Sequence, residues 1–139
     1  MTGNLKIIQR LRSSGLRPTK QRVQIAKLLF EREKTFHFTV EYLGQLINNK
    51  KSEEKISLAT FYNTVHAFKK AGHLKEILTS NNKHYFDTNT SSHHHFFDEK
   101  NNELTDINQK DIKLKTIPNP PSGKKIKDID VVINVENEN

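Results

Sequence analysis

Apolar positions in the first half of the chain recur at steps of three and four, and in the second half they alternate by two. Leu5, Ile8 and Leu11 make a helical stripe that stops at "SSG", with Gly15 closing a short first helix. Pro18 and Thr19 suit the entry of a second helix, whose face is Val23, Ala26, Leu29 and Phe30, with Lys20, Arg22, Lys27 and Arg32 placed elsewhere. Thr39 caps a third, with Leu43, Leu46 and Ile47 as its stripe, and Asn48 to Lys55 reads as a polar loop. Ser57 caps a fourth, in which Leu58, Phe61, Val65 and Phe68 step by three or four and Gly72 stands just past the end. Ala59, Thr60, Asn63, Thr64 and Lys70 are left for its remaining surface.

"HLKEILTSNNKHYFDT" then places two β-like runs around the turn "SNNK", and "HHHFFDE" and "ELTDI" do the same around "KNN". The polar stretch "NQKDIKLKTIPNPPSGKK" holds three prolines and has room for one or two helical turns. "IKDIDVVINVE" puts Ile129, Val131, Ile133 and Val135 on one face of a last strand. The pattern predicts an α+β fold. Residues 1–87 would form a winged helix-turn-helix, and 88–139 a small β-rich domain with too little core to stand alone, which a dimerisation role would suit.

Charge sharpens this division. The 139 residues carry a formal net charge of +7. Residues 1–87 hold 16 Lys and Arg against seven Asp and Glu, net +9, whereas residues 88–139 are net −2. Such an excess on one half is the footprint of a polyanion binder. The short, hydrogen-bonding side chains of the fourth helix suit close approach to base edges in a major groove. Helical bundles that bind proteins share the same periodicity, so the cationic excess and the order of elements decide between the two. With 33% hydrophobic residues, part of the apolar surface is expected to be completed by a partner subunit. No apolar run approaches a membrane span, and the N-terminus does not read as a signal peptide, so a cytoplasmic location and no membrane partner are expected.

The chain has no cysteine, which excludes disulfides, thiolate zinc sites and iron–sulfur clusters. Any metal must be bound by nitrogen and oxygen. Three of the seven histidines stand in a row. On a strand His93 and His95 share a face while His94 points away. With Asp87 and His37 from neighbouring elements they compose a nitrogen/oxygen set suited to Zn, Fe(II), Mn(II) or Co. Two other readings stand beside this one: a polar strand without a ligand, and haem, for which a histidine pair beside "FF" offers both nitrogen and apolar contact. His66 and His73 read as packing or DNA-backbone residues, and His84 as a residue of the hairpin rather than a ligand.

"GLRPTKQR", "SLATFYNTVHAF", "AGHL", "KHYFD" and "HHH", in this order and spacing, resemble the ferric uptake regulator family of bacterial metal-responsive repressors. "HYFDTNTSSHHHFFDEKNNELTDI", "PNPPSG", "DVVINV" and the lack of Cys are most similar to its iron response regulator (Irr) branch in alphaproteobacteria. The resemblance spans roughly residues 12–135. It implies a cytoplasmic homodimer that is not an enzyme, binds double-stranded DNA at an AT-rich inverted-repeat operator and responds to Fe(II), Mn(II) or Zn. It puts the metal on His37, Asp87, His93 and His95, and the DNA contact on Arg17, Lys20, Ser57, Thr60, Tyr62, Asn63 and Lys69. Asn63 stands where many relatives have Arg, which implies a different sequence preference.

The family's second metal site is eroded here: Ser92 and His94 replace ligands, Asp106 stands for a glutamate, and a C-terminal histidine has no counterpart. The Irr likeness further implies haem sensing, which would fall on the histidine run, and action when iron is scarce. The alternatives are a Fur-type divalent-metal co-repressor protein, a metal or haem carrier that does not touch DNA, and a hydrolytic metalloenzyme. A carrier leaves the +9 half unexplained. The enzyme lacks a placed general base or an H-E-x-x-H pattern.

Overall fold

The computed structural model describes residues 2–49 and 54–139. The chain forms two compact units, Met1–Leu78 with Asn82–Thr90, and Thr79–Asn81 with Ser91–Asn139.

The first unit holds four helices, α1 (Thr2–Ser13), α2 (Lys20–Phe30), α3 (Val40–Asn48) and α4 (Leu58–Lys70), with strands β1 (His37–Phe38), β2 (Lys75–Leu78) and β3 (His84–Asp87). The strands form an antiparallel sheet in the order β1-β3-β2. Thr39 and Ser57 each accept a hydrogen bond from a backbone N–H of the first turn, as does Thr19 before α2. These caps satisfy donors that helix geometry leaves without a partner. Helices α1 and α4 end alike. Gly15 and Gly72 adopt left-handed φ of 84° and 89°. Leu16 N–H then reaches the Leu11 carbonyl, and His73 N–H the Phe68 carbonyl, each at 2.9 Å.

Phe61, Thr64, Val65 and Phe68 form the buried face of α4. Thr64, expected on its surface, is therefore interior, while Leu58, at the first turn, lies on the outside. In α1 the buried pair is Ile7 and Leu11, and Leu5 is exposed. Ile25 joins Ala26 and Leu29 in the core, with Val23 and Phe30 only partly covered. These shifts of one position arise because several elements surround this core, which widens each buried stripe. Half of the expected loop from Asn48 to Lys55, residues 50–53, lies outside those described. Its ends are joined by Asn48, whose side chain exchanges two 2.9 Å hydrogen bonds with the Ile56 backbone.

The second unit is a sheet of β4 (His94–Asp98), β5 (Glu103–Ile107) and β6 (Val132–Val135), in the order β5-β4-β6. The β4–β5 hairpin is antiparallel, and β6 lies parallel to β4. Asn102 takes a left-handed φ of 54° at the hairpin turn, a conformation that Asn tolerates. Phe97 and Ile107 are its buried apolar side chains among the described residues. The proline-rich segment carries only a 3₁₀ turn, Gln109–Asp111, and is otherwise exposed and irregular.

Candidate metal centre and nucleic-acid surface

Two donor groups form, one in each unit. In the first, β1 is a two-residue strand that sequence periodicity could not reveal. It pairs with β3 so that His37 stands opposite Asp87. His37 Nε2 lies 3.0 Å from Asp87 Oδ2. The Asp87 carboxylate is 0% exposed, and its Oδ1 also accepts from the Asn89 N–H at 2.8 Å. A buried carboxylate is costly unless it has such donors or a cation.

In the second unit His93 and His95 stand two apart, their ring centroids separated by 4.4 Å. Both are nearly fully buried. Asp106 lies opposite His95 in the β4–β5 register. Its Oδ1 is 3.3 Å from His93 Nε2 and 3.2 Å from His95 Nε2. Asp106, which the resemblance assigned to an eroded second site, thus has its carboxylate beside the His93–His95 pair. Cross-strand neighbours share a face, and counting back from the "KNN" turn would have shown it. Sequence reasoning also missed the Ser91 carbonyl, which receives His93 Nδ1–H at 2.6 Å. That bond fixes the tautomer and leaves the Nε2 lone pair for a cation, as a ligand's supporting shell does.

His94 has a different task. On the opposite face of β4, its Nδ1 accepts the Val131 N–H at 3.0 Å, holding the start of β6. A neutral imidazole accepting at Nδ1 carries its proton on Nε2, so His94 presents no lone pair there for an iron.

The residues expected at DNA divide in the same way. Arg17, Lys20, Tyr62 and Asn63 are exposed. Arg17 sits just before α2, its carbonyl accepting from Arg22 at 3.2 Å. Ser57 and Thr60 share a 2.9 Å hydroxyl contact at the start of α4 and so serve its cap. Lys69, near the far end of α4, pairs with Glu76 of β2, which also pairs with His84. It is thus committed to the hairpin rather than gathered with the α4 start. His66 stacks on Tyr62 and meets the Phe86 ring edge-on. His73 accepts from Arg10 Nε at 3.2 Å through Nδ1 and contacts Ser14 Oγ at 2.7 Å through Nε2. Burial first, and then the Arg10 charge, hold His73 below the ordinary histidine pKa.

The sequence profile of the ferric uptake regulator family matches residues 13–134, and the chain belongs to that family. Its members are metal-responsive transcription regulators and not enzymes. The ferric uptake regulator of Vibrio cholerae is 22% identical, with a TM-score of 0.72, over 94% of this chain and 98% of that one. The ferric uptake regulator from Pseudomonas aeruginosa, solved with manganese, is 22% identical with a TM-score of 0.67, over 94% and 97%. A zinc-bound manganese uptake regulator is likewise 22% identical, TM-score 0.63, over 90% and 93%. At these identities the structural likeness establishes the shared fold. No curated protein sequence matches the chain significantly. No helix among the described residues is long and apolar enough to cross a membrane.

The donor set suits what the family senses. Imidazole nitrogens and carboxylate oxygens, without thiolate, fit a first-row divalent ion such as Fe(II), Mn(II) or Zn(II).

Proposed function

We propose that this protein is a homodimeric cytoplasmic transcription regulator whose grip on operator DNA is set by one divalent ion per protomer. His37 and Asp87 from the first unit, with His93, His95 and Asp106 from the second, would hold that ion. The observation that carries the reading is the buried His93–His95 pair facing the Asp106 carboxylate, with His93 Nδ1 already bonded to Ser91. When bound, the ion would offset the Asp87 and Asp106 charges and tie DNA-reading unit to partner-binding unit. In the DNA complex α4 would enter the major groove with Thr60, Tyr62 and Asn63. Arg17 and Lys20 would meet phosphates, making affinity steeply salt-dependent.

Dimerisation has support in the second unit's sheet. Phe96, Ile133 and Val135 share the face opposite Phe97 and remain about 40% exposed. They form an apolar stripe on a unit with little core of its own. The finer Irr-like form, an AT-rich inverted repeat as operator with haem as the off-signal, rests on the sequence motifs, and the bond from Val131 to His94 argues against His94 as the iron ligand.

Calorimetric titration of chelator-stripped protein with Mn(II) tests this. Wild type should bind one ion per protomer. Asp106→Ala and Asp87→Ala, in different units, should each weaken it at least about tenfold, since loss even of a residue that only supports a ligand costs that much. Loss of affinity in Asp106→Ala with none in Asp87→Ala would break the proposal of one shared ion.

A further inference from the structure

The four helices of the first unit contain one acidic residue. Helices α1, α2 and α4 have none, and α3 has Glu41 alone, in its first turn. Glu41 is exposed, and its carboxylate accepts a hydrogen bond from the hydroxyl of Tyr62. The Tyr62 ring also stacks with His66, 6.4 Å between centroids and 22° between planes. His66 in turn stands edge-on to Phe86 of β3 at 6.2 Å. Glu41 and Tyr62 are among the residues lining a cavity of about 560 Å³ between α3, α4 and the β2–β3 hairpin.

The bland role of Glu41 is to favour the α3 N-terminus, where a carboxylate complements the helix dipole. The bond to Tyr62 gives it another. A tyrosine hydroxyl has one proton. While Glu41 holds it, Tyr62 offers incoming DNA only lone pairs, and the adjacent negative charge repels a loosely seated phosphate. A base edge or phosphate placed well enough to take over the proton regains the tyrosine contact, whereas a poorly fitted sequence does not. An unfavourable contact of this kind is one of the two routes to specificity.

We infer that Glu41 is a specificity-determining residue that acts through Tyr62, withholding its hydroxyl proton from all but well-fitted DNA. The inference rests on the DNA-binding reading above. It also accounts for the Tyr62 hydroxyl being held above the ordinary tyrosine pKa, chiefly by the Glu41 hydrogen bond.

The test uses the full-length metal-loaded protein and a duplex selected by wild type from a random pool, compared with a scrambled duplex. Glu41→Gln removes the charge at nearly constant size. Its binding to the scrambled duplex should tighten about fivefold, the scale of one hydrogen bond or charge near an interface, with little change on the selected duplex. In a Tyr62→Phe background the same substitution should shift both duplexes equally. Tyrosine absorbance titration should show one of the three tyrosines returning toward its ordinary pKa in Glu41→Gln. Equal shifts on both duplexes in the wild-type background, or an unchanged tyrosine titration, would reduce Glu41 to a plain surface charge and overturn the inference. Failure of wild type to select any sequence would overturn the DNA-binding reading itself.

Discussion

At the residue scale the chemistry is set by which nitrogen of each histidine is already engaged. His93 donates through Nδ1 to Ser91, and His94 accepts through Nδ1 from Val131, so adjacent residues face opposite ways with opposite tautomers. The "HHH" triplet thus divides into a pair of candidate ligands and one structural residue, as alternation along a strand demands. His73 is a third case, and it makes stability depend on pH. Its neutral form accepts from Arg10 at 3.2 Å, with Phe30 and Phe68 rings beside it. The folded pKa lies below the unfolded value, so the unfolded chain binds the extra proton first. This contribution is complete above the unfolded pKa of about 6.5 and is lost as pH falls through the folded value. Thermal melts of metal-free protein between pH 7.5 and 5 should therefore show a smaller acid loss in His73→Phe than in wild type. An identical loss would mean that neither burial nor Arg10 holds the His73 pKa down.

At the element scale the helix ends do most to specify the fold. Gly72 adopts φ of 89° with no atom near where a Cβ would point. Gly72→Ala should thus destabilise by about 1–2 kcal/mol through backbone strain alone, without a clash, as measured by urea unfolding. No change would mean that the α4 terminus tolerates another cap.

These ends, the caps Thr19, Thr39 and Ser57, and the two hairpins around "SNNK" and "KNN" were legible in the sequence, because each depends on a local preference of the chain. What was not legible depends on tertiary neighbours. The β1 strand exists only because β3 lies beside it, and two residues leave no period to read. Thr64 looked like surface because a hydroxyl is polar, yet its place three residues after Phe61 and four before Phe68 puts it inside. His37, Asp87, His93 and His95 were named from the sequence, the last two by their spacing on a strand and the first two as neighbours of it. Asp106 needed the hairpin register, and the pairing of His37 with Asp87 through β1 was not foreseen.

At the scale of the whole molecule, the proposed function has the cationic helical unit read DNA and the small sheet, with its apolar exposed face, meet a partner. Membership of the ferric uptake regulator family supplies the logic that joins them: metal in, DNA affinity changed. Linkage makes that logic quantitative, since an ion that alters DNA affinity by some factor has its own affinity altered by the same factor. The most direct measurement is fluorescence anisotropy on the selected duplex, with chelator-stripped and Mn(II)-loaded protein, for wild type and for Asp106→Ala. The account predicts that Mn(II) shifts the wild-type Kd at least about fivefold, within the usual range of allosteric coupling, and leaves Asp106→Ala unmoved. Equal Kd values for stripped and loaded wild type would contradict it.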